Sequence, residues 1–146
     1  MTNEEIEKFM GEAISQAEKA YQKGEIPIGA VIVKGGKIIA KAYNTREKSK
    51  NAVCHAEVLA INKACKKLKN WRLIDCEMFV TVEPCLMCLG ALYNARVKRL
   101  YYGTMNKSNG RIDVDYNTTI QNHKLEVVAG IRKEECAKLL STFFKN

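Results

Sequence analysis

Two short segments carry residue types that bind metals and move protons. One contains His55 and Glu57, and the other contains Cys85 and Cys88 in a Cys-x-x-Cys spacing after Pro84. At the start of a helix this spacing places two sulfurs on one face, and the helix N-terminus favours their thiolate forms. One imidazole and two thiolates suit Zn²⁺ and leave a fourth tetrahedral position open for water. The pattern therefore favours a catalytic zinc site.

Glu57 is the candidate for the group that carries protons at such a site. A zinc ion with two thiolates and a neutral imidazole is formally neutral and lowers the pKa of its bound water to about 7. The proton of that water needs an acceptor, and Glu57 lies too close to His55 in the chain to share the ligand set comfortably. His-x-Glu followed by Pro-Cys-x-x-Cys is the signature of zinc-dependent nucleobase deaminases.

Two other uses of these residues stay open at this point. A Cys-x-x-Cys at a helix start after a strand is also typical of a thioredoxin-like redox site, although that hypothesis gives His55 and Glu57 no role. A purely structural zinc site is the second alternative, with Cys54 or His123 as its fourth ligand. The remaining cysteines are expected to be small buried apolar residues: Cys65, Cys76 and Cys136.

The elements that must position these residues follow from capping signals and hydrophobic periodicity. Thr2 and Glu5 predict a capping box for a first helix that ends at Gly24. Residues 44–51 and 104–124 are expected to be loops, and the second is unusually long for a compact domain. Further helices are predicted at about residues 55–68, 85–94 and 133–145, and strands at residues 28–33, 37–43, 78–82, 98–102 and 125–128.

The order of these elements predicts an α/β fold, a three-layer α/β/α sandwich with helices on both faces of a five-stranded mixed sheet. We expect a largely parallel sheet with right-handed crossovers and an antiparallel hairpin at one side. Residues 1–146 form a single domain in this interpretation. The helices that begin near His55 and Cys85 then start at one edge of the sheet, where parallel strands place functional sites.

Composition narrows the classes of protein to which the chain can belong. Its apolar fraction of 47% is typical of a globular chain, and its apolar runs fall far short of the ~20 residues that cross a bilayer. The acidic start of the chain is unlike a secretory signal. We therefore expect a cytoplasmic protein without a membrane segment.

Positive charge is concentrated in residues 34–72, called the basic block below. The block holds eleven Lys and Arg residues against two Glu residues, and the whole chain has a net charge of +8. A basic block beside a nearly neutral remainder indicates a polyanionic partner such as nucleic acid. A lysine-rich solvated face is the alternative interpretation, because Lys outnumbers Arg by 18 to 6.

Several stretches together resemble the bacterial tRNA-specific adenosine deaminase family, within the cytidine deaminase superfamily. The similarity spans nearly the whole chain, and it implies the cytidine deaminase-like fold and a zinc-dependent deaminase. It is carried by Glu25-Ile26-Pro27-Ile28-Gly29-Ala30-Val31, Tyr43-Asn44, His55-Ala56-Glu57, Asn70-Trp71-Arg72-Leu73, Val80-Thr81-Val82-Glu83-Pro84-Cys85-Leu86-Met87-Cys88, residues 130–136 and residues 139–144.

The resemblance also implies roles for individual residues. His55, Cys85 and Cys88 would bind one Zn²⁺ per subunit, and Glu57 would be the general acid and base. The implied reaction is hydrolytic deamination of the wobble adenosine in a tRNA anticodon stem-loop, by a homodimer whose partner subunit completes the RNA groove. The basic block would help to seat that loop. The implied substrate-binding residues are Asn44 at the edge of the base, Ala56, Glu83 and Pro84 around it, and Phe144.

Three departures from the family pattern keep two rival functions open. Residues 51–54 read Asn-Ala-Val-Cys where members usually have Asp-Pro-Thr-Ala, the stretch at 104–122 differs, and no basic tail follows Lys145. The altered stretch favours a deaminase of a free nucleobase or nucleoside such as guanine, cytosine or cytidine. The second rival is an RNA-binding zinc module without catalysis, which would leave Glu57 unused.

Overall fold

The computed structural model describes residues 1–106 and 119–145, and it begins with the predicted capped helix. Thr2 Oγ1 accepts a hydrogen bond from Glu5 N at 3.1 Å, and Thr2 N donates to Glu5 Oε1 at 3.0 Å. The helices in this part of the chain are α1 (Asn3–Gln22), α2 (Arg46–Ser49), α3 (Ala56–Leu68), α4 (Leu86–Asn94) and α5 (Lys133–Lys145). The strands are β1 (Gly29–Lys34), β2 (Lys37–Tyr43), β3 (Cys76–Val82), β4 (Arg99–Thr104), β5 (Thr119–Ile120), β6 (His123–Lys124) and β7 (Glu126–Val128).

Five of these strands form one mixed sheet in the order β2-β1-β3-β4-β7. One side is parallel as predicted, because β3 pairs with β4 and β4 pairs with β7 in parallel. The other side corrects the prediction of a largely parallel sheet, since β1 is antiparallel to β3 as well as to β2. The hairpin joins the sheet through β1, so β2 becomes the edge strand and runs in the same direction as β3. The crossover from β2 through α3 to β3 therefore passes over β1.

Helices cover both faces of the sheet and bury two separate apolar clusters. Side chains alternate along β1, as they must in a strand with two buried faces. Ala30 and Ile32 belong to the cluster under α3 and α4, whereas Val31 and Val33 belong to the cluster under α1. Helix α5 adds Cys136 to the α1 side. This arrangement confirms the predicted three-layer α/β/α sandwich with a five-stranded mixed sheet.

Helix α1 approaches the sheet so closely that one strand position requires glycine. A Cβ at Gly29 would clash with the backbone of Ala13 and Ala17 in α1. Helix backbone atoms cannot move aside as the end of a flexible side chain can. The amide of Gly29 donates to Thr81 Oγ1 on β3 at 3.2 Å, which ties the start of β1 to the central strand.

Two segments predicted as loops are partly structured. Residues 44–51 contain the short helix α2, and β4 extends to Thr104. Residues 107–118, which form most of the second predicted loop and of the departure at 104–122, lie outside the described residues. Beyond them β5 and β6 form a two-stranded ribbon, in which His123 Nε2 lies 2.7 Å from Val97 O. This contact attaches the ribbon to the segment that precedes β4.

The substitution Gly29→Ala is expected to destabilise the protein by about 1–3 kcal/mol, because the added methyl group forces α1 away from β1. The free energy of unfolding is measured by urea denaturation followed by circular dichroism. Gly90→Ala is the matched control, since nothing lies within 4 Å of a Cβ at Gly90 and alanine is favoured inside a helix by about 0.5–1 kcal/mol. Equal stability of the Gly29→Ala and wild-type proteins would contradict the close contact between α1 and β1.

Candidate metal and catalytic site

The first turns of α3 and α4 present the side chains of the predicted metal site. His55 is the N-cap residue of α3 and Cys85 is the N-cap residue of α4, both with extended backbone. In the described part of the chain neither side chain caps its own helix, so the imidazole and the thiol can face each other. Cys88 lies one turn into α4 and is buried. The crossover over β1 brings both helix starts to one edge of the sheet.

The three donor atoms lie at the spacing that one metal ion requires. His55 Nδ1 is 3.7 Å from Cys85 Sγ and 3.6 Å from Cys88 Sγ, and the donor atoms all lie within 4.8 Å of one another. In tetrahedral geometry, a Zn–N bond of about 2.0 Å and a Zn–S bond of about 2.3 Å place nitrogen and sulfur about 3.5 Å apart. The residues present therefore fit a tetrahedral zinc ion with one open position.

Without a metal ion, only one of the two thiols is set up to ionise. Hydrogen bonds with Cys88 and with His55 lower the pKa of Cys85 to about 4, so this sulfur is a thiolate at neutral pH. The hydrogen bond to Cys85, together with burial, raises the pKa of Cys88 far above its ordinary value. The pKa of His55 is also raised, mainly by its hydrogen bond to Cys85. A divalent cation between these groups would replace the protons and let both sulfurs bind as thiolates.

Glu57, in the first turn of α3, has a buried and unpartnered carboxylate oxygen. Only 3% of the residue is exposed, and Glu57 Oε1 has no hydrogen-bond partner within the described residues. Burial raises the pKa of this carboxyl to about 7, so its charged and neutral forms are both populated at neutral pH. Buried polar atoms rarely lack partners, so this oxygen at a cavity wall makes Glu57 a candidate functional residue.

A cavity of about 590 Å³ opens beside these residues, and its volume is within the range of small-molecule sites. Glu83 and Pro84 are buried next to Cys85, but they are not among the described residues that line the cavity. Cys88 is fully buried and does not line it either. Six of the residues that the sequence singled out do line it: Asn44, His55, Ala56, Glu57, Cys85 and Phe144.

Three hydrogen bonds hold Asn44 at the cavity wall. Its backbone amide donates to Ile28 O at 3.1 Å, and its side-chain Nδ2 donates to Ile26 O at 3.3 Å. Its Oδ1 accepts from Arg46 N at 3.1 Å. Within residues 1–106 and 119–145, one N–H and one lone pair of the amide group make no hydrogen bond, so Asn44 can bind the polar edge of a heterocycle in a fixed orientation.

Glu83 supports the cavity wall from behind. Glu83 Oε1 accepts a hydrogen bond from Asn106 N at 3.1 Å, and Glu83 N donates to Thr104 O at 2.8 Å. These bonds hold the end of β4, where Thr104 and Asn106 both line the cavity. Through these hydrogen bonds Glu83 acts on the cavity indirectly, by holding Thr104 and Asn106 in its wall.

Phe144 is an exposed aromatic residue at the cavity. It is 65% exposed and stands edge-on to Phe143, with ring centroids 5.3 Å apart. Phe143 packs edge-on against Tyr21 of α1 at a centroid distance of 6.0 Å, which fixes the end of α5 against α1. An aromatic ring that is anchored but exposed can stack on an unpaired base.

The alternative of a structural zinc site needs a fourth protein ligand, and the described residues do not support it. Across residues 1–106 and 119–145, the donors close enough to share one ion are the three named above, without Cys54. His123 lies at the other end of β4, where its ring contacts Val97 O. The redox alternative still gives the nearby imidazole no role. Of the remaining cysteines, Cys76 and Cys136 are buried and Cys65 is half-buried.

The fold divides the basic block between the two opposite ends of the strands in the sheet. Arg46 and Lys48 lie in α2, and Lys50 is its C-cap residue, next to the cavity wall. Lys34, in contrast, pairs with Cys76 at the beginning of β3, the edge far from the metal donors. The lysines at the end of α3 lie at that far edge too, because α3 starts at the site and runs away from it. Only the α2 part of the block is therefore placed to meet a ligand of the cavity.

Sequence reasoning missed several residues that line the cavity. Among the described lining residues Arg46 is the cation, and its side chain is partly exposed. Three missed residues on α5 share one helix face with Phe144, and this spacing of three and four residues was a usable signal. The missed residues besides Arg46 are Ile26, Ile28, Val82, Thr104, Met105, Asn106, Ala137, Leu140 and Ser141.

Comparisons with known sequences identify relatives across nearly the whole chain. The model of the MafB19-like deaminase family matches residues 4–146. A tRNA-specific adenosine deaminase of Streptococcus pyogenes serotype M1 is 46% identical over 145 residues, which cover 97% of this chain and 85% of that protein. This degree of identity confirms the resemblance that the sequence motifs indicate.

Solved structures agree with the sequence comparisons. A structure from a study of A-to-I editing by tRNA:A34 deaminases at the wobble position of transfer RNA matches with a TM-score of 0.84 at 34% identity, covering 91% of this chain and 99% of that one. A guanine deaminase from Bacillus subtilis matches with a TM-score of 0.65 at 36% identity, covering 79% of this chain and 86% of that one. The predicted cytidine deaminase-like fold is confirmed, and the chain belongs to the MafB19-like deaminase family.

Proposed function

We propose that this protein deaminates the wobble adenosine of a tRNA anticodon stem-loop, converting adenosine and water to inosine and ammonia. The observation that carries the proposal is the buried carboxylate of Glu57, one oxygen of which has no hydrogen-bond partner within the described residues, beside a three-donor metal site at the wall of one cavity. Membership of a deaminase family supports the reaction class. Identity of 46% to a tRNA-specific adenosine deaminase supports the substrate.

His55, Cys85 and Cys88 are proposed to hold one zinc ion in each subunit. A zinc ion there would supply a Lewis acid that activates a water molecule for attack on C6 of adenine. Two thiolates and a neutral imidazole would leave the site with no net charge. The part played by the chain is to fix these donors on the starts of two packed helices before a substrate arrives.

Glu57 is proposed to carry the protons of the reaction. It would take a proton from the attacking water, transfer it to N1 of the ring, and pass a proton to the departing amino group. The C6–N bond then breaks, and the oxygen of water stays on C6. A carboxyl group whose pKa is raised to about 7 suits this work, because it both accepts and releases protons readily at neutral pH.

Asn44, Ala56 and Phe144 are proposed to hold the nucleotide. The fixed amide group of Asn44 would bind the edge of the base, and the backbone at Ala56 would border it. Phe144 would stack on a neighbouring base of the loop, while Glu83 and Pro84 support the wall from behind. A base splayed out of a single-stranded loop can enter such a cavity, whereas a stacked base cannot.

Deamination of a free nucleobase or nucleoside is the second candidate function. The guanine deaminase from Bacillus subtilis, at 36% identity, favours keeping it. Exposed Phe144 and partly exposed Arg46 favour RNA, because a free base needs neither a stacking surface nor a phosphate contact. An RNA-binding module without catalysis would leave the buried carboxylate of Glu57 unexplained.

We further propose that residues 1–146 act as one domain and assemble as a homodimer. Leu86 and Met87 of α4 and Val53 before α3 are exposed apolar residues near the metal donors in the chain. Exposed apolar patches beside a site are typical of surfaces that a partner covers. A cytoplasmic location is proposed from the tRNA substrate. In the part of the chain that the structure describes, no helix is long and apolar enough to cross a bilayer.

Replacing Glu57 should separate proton transfer from metal binding. Glu57→Gln is expected to lower turnover by at least about 10²-fold while zinc content is unchanged, because the amide keeps the shape of the carboxyl group but cannot carry its proton. Inosine at the wobble position of a transcribed anticodon stem-loop is measured by mass spectrometry, and zinc by atomic absorption. Glu4→Gln, which changes an exposed carboxylate at the start of α1, is the control. Turnover of Glu57→Gln at the wild-type rate would rule out the proposed role.

Removal of one sulfur should release the metal. Cys88→Ser is expected to reduce zinc after dialysis from about one ion per chain to a small fraction, because a serine hydroxyl does not readily ionise to replace a thiolate. Cys65→Ser is the matched control, since Cys65 is half-buried and its sulfur contacts Trp71 O instead of the metal donors. Equal zinc content in the two variants would contradict the proposed ligand set.

The substrate class should be visible in the response to salt. For the stem-loop, kcat/KM is expected to fall at least about tenfold between about 50 and 200 mM salt, because phosphate contacts release counterions. Free adenosine, guanine and cytidine serve as the uncharged comparison. An unmodified stem-loop together with a deaminated free base or nucleoside would replace the first candidate function by the second.

A further inference from the structure

Glu25 is a buried acidic residue that the proposed chemistry does not use. It lies between the end of α1 and the start of β1, and only 2% of it is exposed. A buried carboxylate is costly unless hydrogen bonds compensate for its lost hydration. The partners of Glu25 therefore indicate what the residue does in this fold.

Both carboxylate oxygens of Glu25 bind backbone amides at the beginning of α2. Oε1 accepts from Glu47 N at 3.0 Å, and Oε2 accepts from Lys48 N at 2.8 Å. The N-cap residue of α2, Thr45, makes no side-chain cap hydrogen bond within the described residues. Glu25 therefore takes the place of a local cap, although it precedes Glu47 by 22 positions in the chain.

Ile26, the next residue in the chain, holds Asn44, which directly precedes the N-cap residue of α2. Ile26 O accepts from Asn44 Nδ2 at 3.3 Å, and Asn44 Oδ1 accepts from Arg46 N at 3.1 Å. Residues 44–48 are thus attached to residues 25–26 at two points. Since Asn44 and Arg46 both line the cavity, these attachments set the position of two groups that a substrate would meet.

Apolar packing does not hold α2 in place. None of its four residues is buried by the part of the chain that the structure describes. A helix of this length is not stable by itself in water. Its position therefore depends on hydrogen bonds, and the two bonds to the Glu25 carboxylate are charge-assisted, which makes them the strong ones.

We propose that Glu25 is a positioning residue for substrate binding, whose carboxylate holds α2 so that Asn44 and Arg46 meet the nucleotide in the cavity. This inference rests on the proposed function, because it concerns the same cavity. The hydrogen bonds of the Glu25 carboxylate go to α2, and the metal donors and Glu57 lie on α3 and α4. Loss of the carboxylate therefore weakens substrate binding and leaves the chemical step and the metal site unchanged.

Variants at position 25 test this role through the kinetic constants. Glu25→Ala is expected to raise KM for the anticodon stem-loop about tenfold while kcat changes by less than about twofold. Glu25→Gln keeps one acceptor oxygen, and its KM is expected to lie between those of Glu25→Ala and the wild type. Glu4→Gln is the control, because it removes an exposed carboxylate at the start of α1 from a residue that is not among the described residues lining the cavity.

Hydrogen exchange at the backbone amides of residues 45–50 gives a readout that does not depend on activity. Faster exchange there in Glu25→Ala, with unchanged zinc content and unchanged exchange in the central strand β3, is the expected result. Unchanged exchange, an unchanged KM, or a parallel loss of kcat and zinc would each overturn the positioning role. A wild-type protein that leaves the stem-loop unmodified would refute the proposed function, and the exchange result would still decide how α2 is held.

Discussion

Two thiolates and an imidazole can share one ion only when the helices that carry them begin side by side. This constraint explains much of the architecture. Helices α3 and α4 both follow strands that point toward one sheet edge, and β1 occupies the space between β2 and β3. Ala56, Ala60 and Ala64 are fully buried along α3, so this helix can lie close to the sheet. The donor atoms then come within 4.8 Å of one another without any loop having to reach across.

The same arrangement of donors also sets the net charge of the site. Three donors on two helix starts would bind a divalent ion as a neutral unit, so the surroundings need no further countercharge. Burial raises the pKa of the Glu57 carboxyl to about 7, and the wall of the cavity around it is largely apolar. Metal ligands and proton carrier come from adjacent turns of the same helices, which keeps their geometry tied to the core of the protein.

The fold could be predicted from the sequence wherever the relevant interactions are local. The capping box at Thr2 and the strand predicted at residues 28–33 both depend on near neighbours in the chain. The antiparallel pairing of β1 with β3 could not be read in this way, because side-chain alternation is the same in either direction. The metal donors were predictable because His55 and the Cys-x-x-Cys pair have distinctive spacing. Glu25 was not, because its two partners are backbone amides, which carry no sequence signal.

Helix α2 stands apart from the apolar clusters that stabilise the sandwich. Because its residues contribute nothing to those clusters, substitutions in residues 46–49 exert little effect on folding, provided that the backbone amides can still reach Glu25. The cavity therefore has a wall whose chemistry can change without disturbing the three candidate metal donors or the apolar core. Changes of substrate preference during evolution, or in a directed library, are most accessible at this wall.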